Sequence, residues 1–330
     1  MHTKILGTGH YVPKSKITND ELSRMVETND EWIFGRTGIK CRHVAEQEST
    51  VSMAVKSAEL ALKASGTKVE EIDLIIVGTI SADDLLPSTA CSVQGRLGAA
   101  NAVAFDINAA CSGFMYAYTV ADSMLKNRLA KKALIIGVET LSKITDWTDR
   151  GTCVLFGDGA GAAVLCLSDD GTGLLSVDIG SDGSRTDTLF CKSRSNANPL
   201  FTDKKSVNAN GTINPGYITM DGQAVFKFAV RQVPNSIEKV LSDAGYTVDD
   251  IDLFILHQAN LRIISSIAKR LRADIKKFPH NMEEYGNTSA ASIPILLDEC
   301  IKNKLIRPDM KVIVAGFGAG LTWSAALIQF

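Results

Sequence analysis

An internal repeat limits the folds open to this 330-residue sequence. A shift of 179 positions aligns residues 59–77 with residues 238–256 without a gap. The identical pairs are Glu59/Glu238, Leu62/Leu241, Gly66/Gly245, Val69/Val248, Ile72/Ile251, Asp73/Asp252, Leu74/Leu253 and Ile76/Ile255. Both copies predict a helix, a glycine that stops it, an acidic turn and a strand. We therefore expect two similar α/β halves, 1–167 and 168–330, packed about a pseudo-twofold axis.

Apolar runs typical of buried strands alternate with helical patterns along the whole chain. The runs predict strands over 73–80, 102–107, 133–138, 252–257 and 311–316. The periodic segments predict helices over 51–64, 90–97, 113–129, 223–244, 261–271 and 289–303. Residues 181–217, rich in Ser, Asn, Gly, Asp and Pro, predict one long loop. The fold class that follows is α/β, with sheets covered by helices.

The composition fits a globular chain with a large core. Hydrophobic residues make up 45% of it, and 35 basic residues nearly balance 37 acidic ones for a formal net charge of −2. No overall field therefore favours nucleic acid or an anionic membrane as a partner. The sequence has no apolar run of about 18 residues and no signal-peptide core at its start, so we expect a cytoplasmic protein.

The cysteines and histidines do not form a disulfide or metal pattern. The seven cysteines are odd in number and irregular in spacing, and no Cys-x-x-Cys pair occurs. The five histidines are isolated from one another and from clustered carboxylates. We expect no bound metal and mostly buried, unreactive thiols.

Three short strings place one reactive side chain each beside small residues: NAACSG around Cys111, HQAN from His257 and GNTSA around Asn287. Cys111 lies between a predicted strand and a predicted helix, and the 179-residue shift carries it to Ala290, three residues past Asn287. His257 ends the strand that mirrors the strand at 73–77. Because open α/β sheets place their sites at the carboxyl ends of strands, we expect the three side chains to converge on one pocket.

The chemistry of these side chains suits nucleophilic catalysis. A thiol at a helix N-terminus meets the positive end of the helix dipole, which favours the thiolate and makes Cys111 a candidate nucleophile. Each residue also fits an ordinary structural role: an inert buried thiol, a structural histidine and a helix cap. The placement of all three at strand ends favours the catalytic interpretation.

Taken together, in their order and spacing, the strings resemble β-ketoacyl-acyl-carrier-protein synthase III, the condensing enzyme that starts bacterial fatty-acid synthesis. The matching segments are WIFGRTGI at 32–39, NAACSGF at 108–114, FGDGAGA at 156–162, HQANLRII at 257–264, GNTSAASIP at 286–294 and GFGAGLTW at 316–323. They run almost from end to end of the chain. The resemblance implies the thiolase fold, a duplicated five-layer αβαβα arrangement usually found as a homodimer.

The resemblance also implies a reaction. Cys111 would take an acyl group from a short acyl-CoA, with the backbone amides of Cys111 and Ala319 holding the oxyanion. Malonyl-acyl-carrier-protein would then lose CO₂ while His257 and Asn287 donate hydrogen bonds to its thioester oxygen. Acyl-CoA would be a substrate, and no cofactor would be bound permanently.

Substrate contacts follow from the same resemblance. Trp32 and Arg150 would sandwich the CoA adenine, and Arg36 would reach the pyrophosphate. Thr28 and Asn260 would line the pantetheine tunnel. The acidic carrier protein would dock on one face of a predicted helix, and a solvated basic surface is the alternative explanation of that face. The docking residues are Arg262, Lys269 and Arg270.

Other functions stay open for this set of residues. An acyltransferase of the same fold, a polyketide-type ketosynthase and a cysteine hydrolase all use related groups. A catalytically silent scaffold has no chemical need for Cys111, His257 and Asn287 together, so their presence favours an active enzyme. The acyl primer is not predicted.

Overall fold

The computed structural model describes residues 1–192 and 216–330. Most of the loop predicted at 181–217 therefore lies outside the described residues. The strands, in chain order, are β1 His2–Tyr11, β2 Lys16–Thr18, β3 Cys41–His43, β4 Leu74–Gly78, β5 Val103–Ile107, β6 Lys132–Thr140, β7 Asp158–Ser168, β8 Gly173–Ser181, β9 Leu189–Phe190, β10 Thr219–Met220, β11 Leu253–Leu256, β12 Lys311–Gly318 and β13 Thr322–Gln329. The α-helices are α1 Asn19–Leu22, α2 Asp30–Thr37, α3 Thr50–Ser65, α4 Thr89–Leu97, α5 Gly113–Lys126, α6 Gly222–Ala244, α7 Leu261–Leu271, α8 Met282–Tyr285 and α9 Ser292–Lys302.

Two sheets form the framework, with strand orders β1-β7-β6-β4-β5 and β11-β12-β13-β8. In the first, β4 runs parallel to β5 and β6, while β7 is antiparallel to β6 and β1. In the second, β11 and β12 are parallel, and β13 is antiparallel to both β12 and β8. The short pairs β2-β3 and β9-β10 lie apart from them. Both large sheets are mixed, and their parallel strands carry the continuous apolar runs expected of strands buried on both faces.

Helices cover both sheets and fill the space between them. On the outer face of the first sheet, α3 packs on β1, β6 and β7, and α4 packs on β5 and on α3. Between the sheets, α5 contacts β6 and β13, and α9 contacts β7 and β12. On the outer face of the second sheet, α6 covers β8 and β13 with α7 beside it. The order is helix, sheet, helix, sheet, helix, which confirms the five-layer αβαβα arrangement.

The order of elements predicted for the repeat is confirmed. Helix α3 ends at Gly66 in the left-handed conformation, a 3-10 turn follows over Val69–Glu71, and β4 comes next. Helix α6 ends in the same way at Gly245, followed by a 3-10 turn over Val248–Asp250 and by β11. One hydrophobic cluster draws side chains from both sheets and from both central helices. The division at 1–167 and 168–330 stays a prediction.

The sequence patterns missed four long strands, β1, β7, β8 and β13. Strand β7 contains the run DGAGAA. Its small residues indicate close packing and lack the large apolar side chains by which a buried strand is predicted. A Cβ on Gly161 of this strand would lie 2.7 Å from Cβ of Pro294 in α9. Gly161 thus lets a central helix approach the sheet more closely than a side chain allows.

The helix predicted at 289–303 is a 3-10 turn over Ser289–Ala291 followed by α9.

We expect Gly161→Ala to destabilise the protein, because its new Cβ meets both the backbone and the side chain of Pro294. Overpacking of this kind costs about 1–3 kcal/mol of the free energy of unfolding. Gly95→Ala on α4 is the matched control, since nothing lies within 4 Å of its Cβ, and it should stabilise the helix by about 0.5–1 kcal/mol. Urea unfolding measures both variants, and a Gly161→Ala protein as stable as the wild type would contradict the packing argument.

Candidate active site

Cys111 lies at a tight turn between β5 and α5. Residues Ala110–Ser112 form a 3-10 turn, and Ala110 adopts a left-handed φ of 47°. The cysteine is buried, with 8% of its surface exposed. At the end of β12, a Cβ on Gly318 would lie 2.7 Å from the backbone nitrogen of Cys111. Only glycine therefore lets the end of β12 reach the turn that holds the sulfur.

The thiol differs from the ready thiolate expected at a helix N-terminus. Burial raises the pKa of Cys111 to about 12, because a thiolate there would lose its hydration. A hydrogen bond with the Ser289 side chain lowers the pKa of this thiol by less, and the negative charge of Glu139 raises it. The resting sulfur is thus a neutral thiol, and its attack on a carbonyl requires a proton acceptor.

Asn287 is held from both sides by the backbone. Its N–H donates to the Leu155 carbonyl at 2.9 Å, and its carbonyl accepts from the Gly157 N–H at 3.0 Å. Its side-chain Oδ1 accepts from the Ser289 N–H at 2.9 Å. Because the oxygen end is occupied, the amide N–H groups are the end of Asn287 available to a ligand.

His257 follows the last residue of β11, where its N–H donates to the Ala315 carbonyl at 2.8 Å. Its Nδ1 lies 2.6 Å from the Ser292 hydroxyl, which also accepts from the Gln258 N–H at 3.4 Å. We assign the hydroxyl as the donor to Nδ1, which places the ring proton on Nε2. Burial lowers the pKa of His257 to about 3, so the ring is a neutral Nε2–H donor.

One cavity of about 690 Å³ brings these side chains together. Cys111, His257 and Asn287 all line it, and the ring of Phe317 meets the His257 ring edge-on at 5.2 Å. The three residues come from three different loop-to-helix or strand-end positions, as the sequence predicts. The arrangement can hold a thioester carbonyl between a sulfur nucleophile and two neutral hydrogen-bond donors.

The mouth of this cavity carries aromatic and cationic side chains. Trp32, Arg36, Arg150 and Asn260 line it. The guanidinium carbons of Arg36 and Arg150 lie 5.2 and 4.9 Å from the centre of the Trp32 ring. Asn260 caps α7, with Oδ1 accepting from the Arg262 N–H at 2.8 Å. A planar ligand with negatively charged groups suits such an entrance.

Thr28 is not among the residues that line this cavity. Its hydroxyl oxygen is buried without a hydrogen-bond partner in the described part of the chain. No direct contact with this cavity therefore supports the assignment of Thr28 to the pantetheine tunnel.

A second cavity, of about 740 Å³, shares Cys111 with the first. Ala319 lines it, and so does Cys111 itself. Its apolar lining includes Leu141, Ile144, Leu189, Phe190 and Ile218. The sulfur therefore lies where the two cavities meet.

The predicted docking residues lie on the surface of α7 but differ in their contacts. Arg262 lines the first cavity and lies 5.9 Å above the Phe226 ring. Arg270 donates to Val230 O and to Asn235 Oδ1, at 3.3 and 2.7 Å, so its head is bound to α6. Lys269 is exposed. The three basic residues thus lie along the surface of α7, but the Arg270 guanidinium is hydrogen-bonded to α6, whereas Lys269 is exposed.

Sequence reasoning missed three polar residues at this site. Ser292 touches His257, Ser289 lines the second cavity together with Cys111, and Glu139 accepts from the Ser289 hydroxyl at 3.0 Å. Glu139 is fully buried at the end of β6. A lone carboxylate that closes an apolar strand run was the signal available in the sequence.

Two findings bear on other classes of site. Among residues 1–192 and 216–330, His, Cys, Asp and Glu side chains form no group of three or more that could hold a metal ion. Within the same residues, every helix is too short or too polar to span a lipid bilayer.

Comparison with known families agrees with the geometry. Residues 105–183 match the model of 3-oxoacyl-(acyl-carrier-protein) synthase III, and residues 241–330 match the model of its C-terminal part. The beta-ketoacyl-(acyl-carrier-protein) synthase III of Clostridium tetani is 49% identical over 331 residues, covering 99% of this chain and 98% of its own length.

Solved structures show the same likeness. The crystal structure of 3-oxoacyl-(acyl-carrier-protein) synthase III from Aquifex aeolicus is 43% identical, with a TM-score of 0.91, and covers 99% of this chain and 100% of its own. The priming β-ketosynthase of the R1128 polyketide pathway is 34% identical, with a TM-score of 0.90 over 99% of this chain and 96% of its own. The fold is the thiolase-like one, and the sequence is more similar to the Clostridium tetani and Aquifex aeolicus enzymes than to this polyketide enzyme.

We expect His257 to remain neutral from its ordinary pKa of about 6.5 down to the lowered pKa of about 3. Histidine labelled with ¹⁵N reports both charge and tautomer by NMR, and His257→Ala assigns the signal. The spectrum should show a proton on Nε2 that does not change as the pH falls through 6.5. Ser292→Ala should mix the two tautomers, because it removes the hydroxyl donor to Nδ1. A ring that titrates near 6.5 would contradict the assignment.

Proposed function

The chain belongs to the 3-oxoacyl-(acyl-carrier-protein) synthase III family, and on that basis we propose how its residues divide the condensation. The enzyme is an acyltransferase that joins a short acyl primer from acyl-CoA to malonyl-acyl-carrier-protein with loss of CO₂. The product, a β-ketoacyl-acyl-carrier-protein, initiates fatty-acid synthesis. The observation that carries the assignment is the single cavity lined by Cys111, His257 and Asn287.

In the first half-reaction, the Cys111 sulfur attacks the thioester carbonyl of acyl-CoA. The C–S bond to CoA breaks, and the acyl group stays on Cys111 as a thioester. The backbone amides of Cys111 and Ala319 donate to the oxyanion. The close approach of Gly318 to the Cys111 nitrogen supports this pair, because it brings the turn between β12 and β13 against the nucleophile.

In the second half-reaction, malonyl-acyl-carrier-protein occupies the vacated cavity. His257 Nε2–H and the Asn287 amide donate to its thioester oxygen and stabilise the enolate that forms as CO₂ leaves. The enolate carbon attacks the acyl group on Cys111. The hydrogen bond from Ser292 to His257 Nδ1 and the one from Ser289 N–H to Asn287 Oδ1 support these roles, since both orient donors toward the ligand.

The CoA substrate enters at the mouth formed by Trp32, Arg36 and Arg150. Adenine binds between the indole and the Arg150 guanidinium. Arg150 must therefore move away from the Trp32 ring and break its 2.9 Å hydrogen bond to the Glu27 carbonyl oxygen. Arg36 neutralises the pyrophosphate. Asn260 lies along the pantetheine, and the free hydroxyl of Thr28 donates to the ligand once the neighbouring side chains adjust. No further cofactor is bound permanently.

The acyl group of the primer lies in the second cavity. This cavity shares Cys111 with the first, and its walls are largely apolar. Apolar surface removed from water stabilises a bound acyl chain by about 0.8 kcal/mol for each CH₂. The primer is therefore an aliphatic acyl group.

The protein partners follow from the surface. The acidic carrier protein docks on α7 through Arg262, Lys269 and Arg270, with Arg262 nearest the cavity mouth. The chain works as a homodimer, a proposal supported by Val103 on the edge strand β5, which is 59% exposed, and by exposed leucines before α4. We also propose a cytoplasmic location, which the family resemblance supports.

We expect Cys111→Ala to abolish acylation, because it removes the atom that carries the acyl group. Intact-mass measurement after incubation with a panel of acyl-CoAs should show a thioester adduct on the wild type and none on the variant. The primer that gives the adduct is the preferred one. Absence of any adduct on the wild type would refute the proposed mechanism.

We expect His257→Ala and Asn287→Ala to acylate normally but to release CO₂ from malonyl-acyl-carrier-protein about 10²–10³-fold more slowly, the usual effect of losing one oxyanion donor. His280→Ala changes an exposed histidine outside both cavities and is the control. Release of ¹⁴C-labelled CO₂ measures the step. Wild-type rates in both variants would overturn the donor roles.

A further inference from the structure

Helix α8 connects the two segments that carry the proposed donors of the condensation. At its start, the Asn281 N–H donates to Gln258 Oε1 at 3.1 Å, and Gln258 directly follows His257. At its end, Tyr285 lies two residues before Asn287. The position of this short helix therefore contributes to the distance between the two donors.

The Glu299 carboxylate joins the two ends of α8. Its Oε2 accepts from Asn281 Nδ2 at 2.7 Å, and its Oε1 accepts from the Tyr285 hydroxyl at 2.6 Å. Because a carboxylate can only accept, the amide NH₂ and the hydroxyl are the donors. Such charge-assisted hydrogen bonds are about twice as strong as those between neutral groups. All three side chains are half-buried, so Glu299 fixes both ends of α8 to α9.

Helix α8 needs these external contacts to keep its shape. It has four residues, and a helix that short is not stable alone, because its nucleation is unfavourable. Asparagine is a favoured N-cap, yet the Asn281 side chain makes no cap hydrogen bond to α8. It donates to Glu299 instead. Met282 is fully buried in the hydrophobic core. Core packing and Glu299 thus determine where this helix lies.

Helix α9 also holds the segment that carries His257. At its first residue, the Ser292 hydroxyl lies 2.6 Å from His257 Nδ1 and accepts from the Gln258 N–H at 3.4 Å. Gln258 Nε2 donates to the Leu256 carbonyl at 2.7 Å, which orients Oε1 toward α8. Glu299 lies seven residues after Ser292, two turns along the same helix. One rigid element therefore contacts the surroundings of both donors.

We propose that Glu299 is a positioning residue for decarboxylation: through Asn281 and Tyr285 it sets the spacing of His257 and Asn287 that one thioester oxygen requires. This inference rests on the proposed function. In the described part of the chain, Glu299 is not among the residues that line either cavity, so it acts through the donors. Hydrogen bonds stabilise a developing charge only when their geometry fits it. Acylation, which does not use these donors, is independent of Glu299.

The first test compares both half-reactions in Glu299→Ala and Tyr285→Phe. The second variant removes only the hydroxyl and keeps the ring, whose centre lies 5.4 Å from that of His43. We expect CO₂ release at saturating malonyl-acyl-carrier-protein to slow about 10²-fold, the cost of a displacement of about 1 Å. KM and the rate of acylation should stay unchanged. Wild-type CO₂ release in both variants would overturn the proposal.

Glu299→Gln is the conservative variant that tests for rescue. The new amide oxygen can accept from the Tyr285 hydroxyl, and the new NH₂ can donate to Asn281 Oδ1 once that amide turns over. Both ends of α8 then stay attached, so CO₂ release should be close to the wild-type rate. If Glu299→Gln is as slow as Glu299→Ala, attachment of α8 is not what matters, and the proposal is wrong.

Tyr118→Phe is the matched control. It also loses one phenol hydroxyl, which donates to the Thr3 carbonyl at 2.8 Å, and Tyr118 lines neither cavity in the described part of the chain. Both half-reactions should proceed at wild-type rates. A loss of CO₂ release equal to that of Tyr285→Phe would show a general structural effect and contradict the proposal. Should Glu299→Ala fail to fold in urea titrations, Tyr285→Phe decides the rate test.

A double-mutant cycle shows whether Tyr285 acts through Asn287. If it does, adding Tyr285→Phe to Asn287→Ala should slow CO₂ release no further, because the donor that Tyr285 positions is already gone. Losses that multiply would overturn the proposed route. Wild-type CO₂ release in Asn287→Ala itself refutes the proposed function. Slow Asn287→Ala beside wild-type Glu299→Ala and Tyr285→Phe refutes this inference alone, so the two failures are distinguishable.

Discussion

Glycine residues let the strands and the central helices approach each other with no side chain between them, and the active cavity depends on that contact. A Cβ on Gly78 of β4 would lie 2.7 Å from the carbonyl carbon of Gly113, where α5 begins, and one on Gly318 would lie equally close to Cys111 N. Any side chain at these positions would push the central helices away from the sheets and carry the Cys111 turn with them. Residues that are remote in sequence share one cavity because no side chain separates the strands from the helices there.

Loss of water shapes the chemistry of every ionisable group inside the cavity. Burial holds Cys111 as a thiol and His257 as a neutral ring, and it brings the pKa of Glu139 to about 7. Hydrogen bonds from neutral donors are strong in such surroundings, because no solvent competes for the oxygen that develops charge. The permanent positive charges of Arg36 and Arg150 lie outside, at the exposed mouth. Recognition of charge and bond formation are therefore separated in space.

The sequence predicted the framework well because its strongest signals are local. The repeat and the apolar runs located α3, α6, β4 and β11, and helix bounds differ by at most three residues from those expected. Strand β7 escaped because its glycines and alanines are chosen for contact with α9, which is a tertiary requirement. The convergence of Cys111, His257 and Asn287 followed from their strand-end positions, whereas the partners of Glu139 come from two separate segments that no local pattern connects.

The charge state of the nucleophile was also beyond the sequence. The helix N-terminus at Gly113 is a local feature and predicted a thiolate, but the burial that keeps Cys111 protonated is set by the whole arrangement of β12, β13 and the 3-10 turn at Ser289–Ala291.

The meeting of two cavities at one sulfur has a kinetic consequence. Cys111 is a common wall, so the acyl group waits in one compartment while the other is vacated and filled again through the same entrance. CoA must depart before the carrier-bound malonyl arm can enter, because the two substrates occupy the same cavity and exclude one another from it. The order of the two half-reactions, acylation and then condensation, is thus a property of the architecture and requires no mobile segment to enforce it.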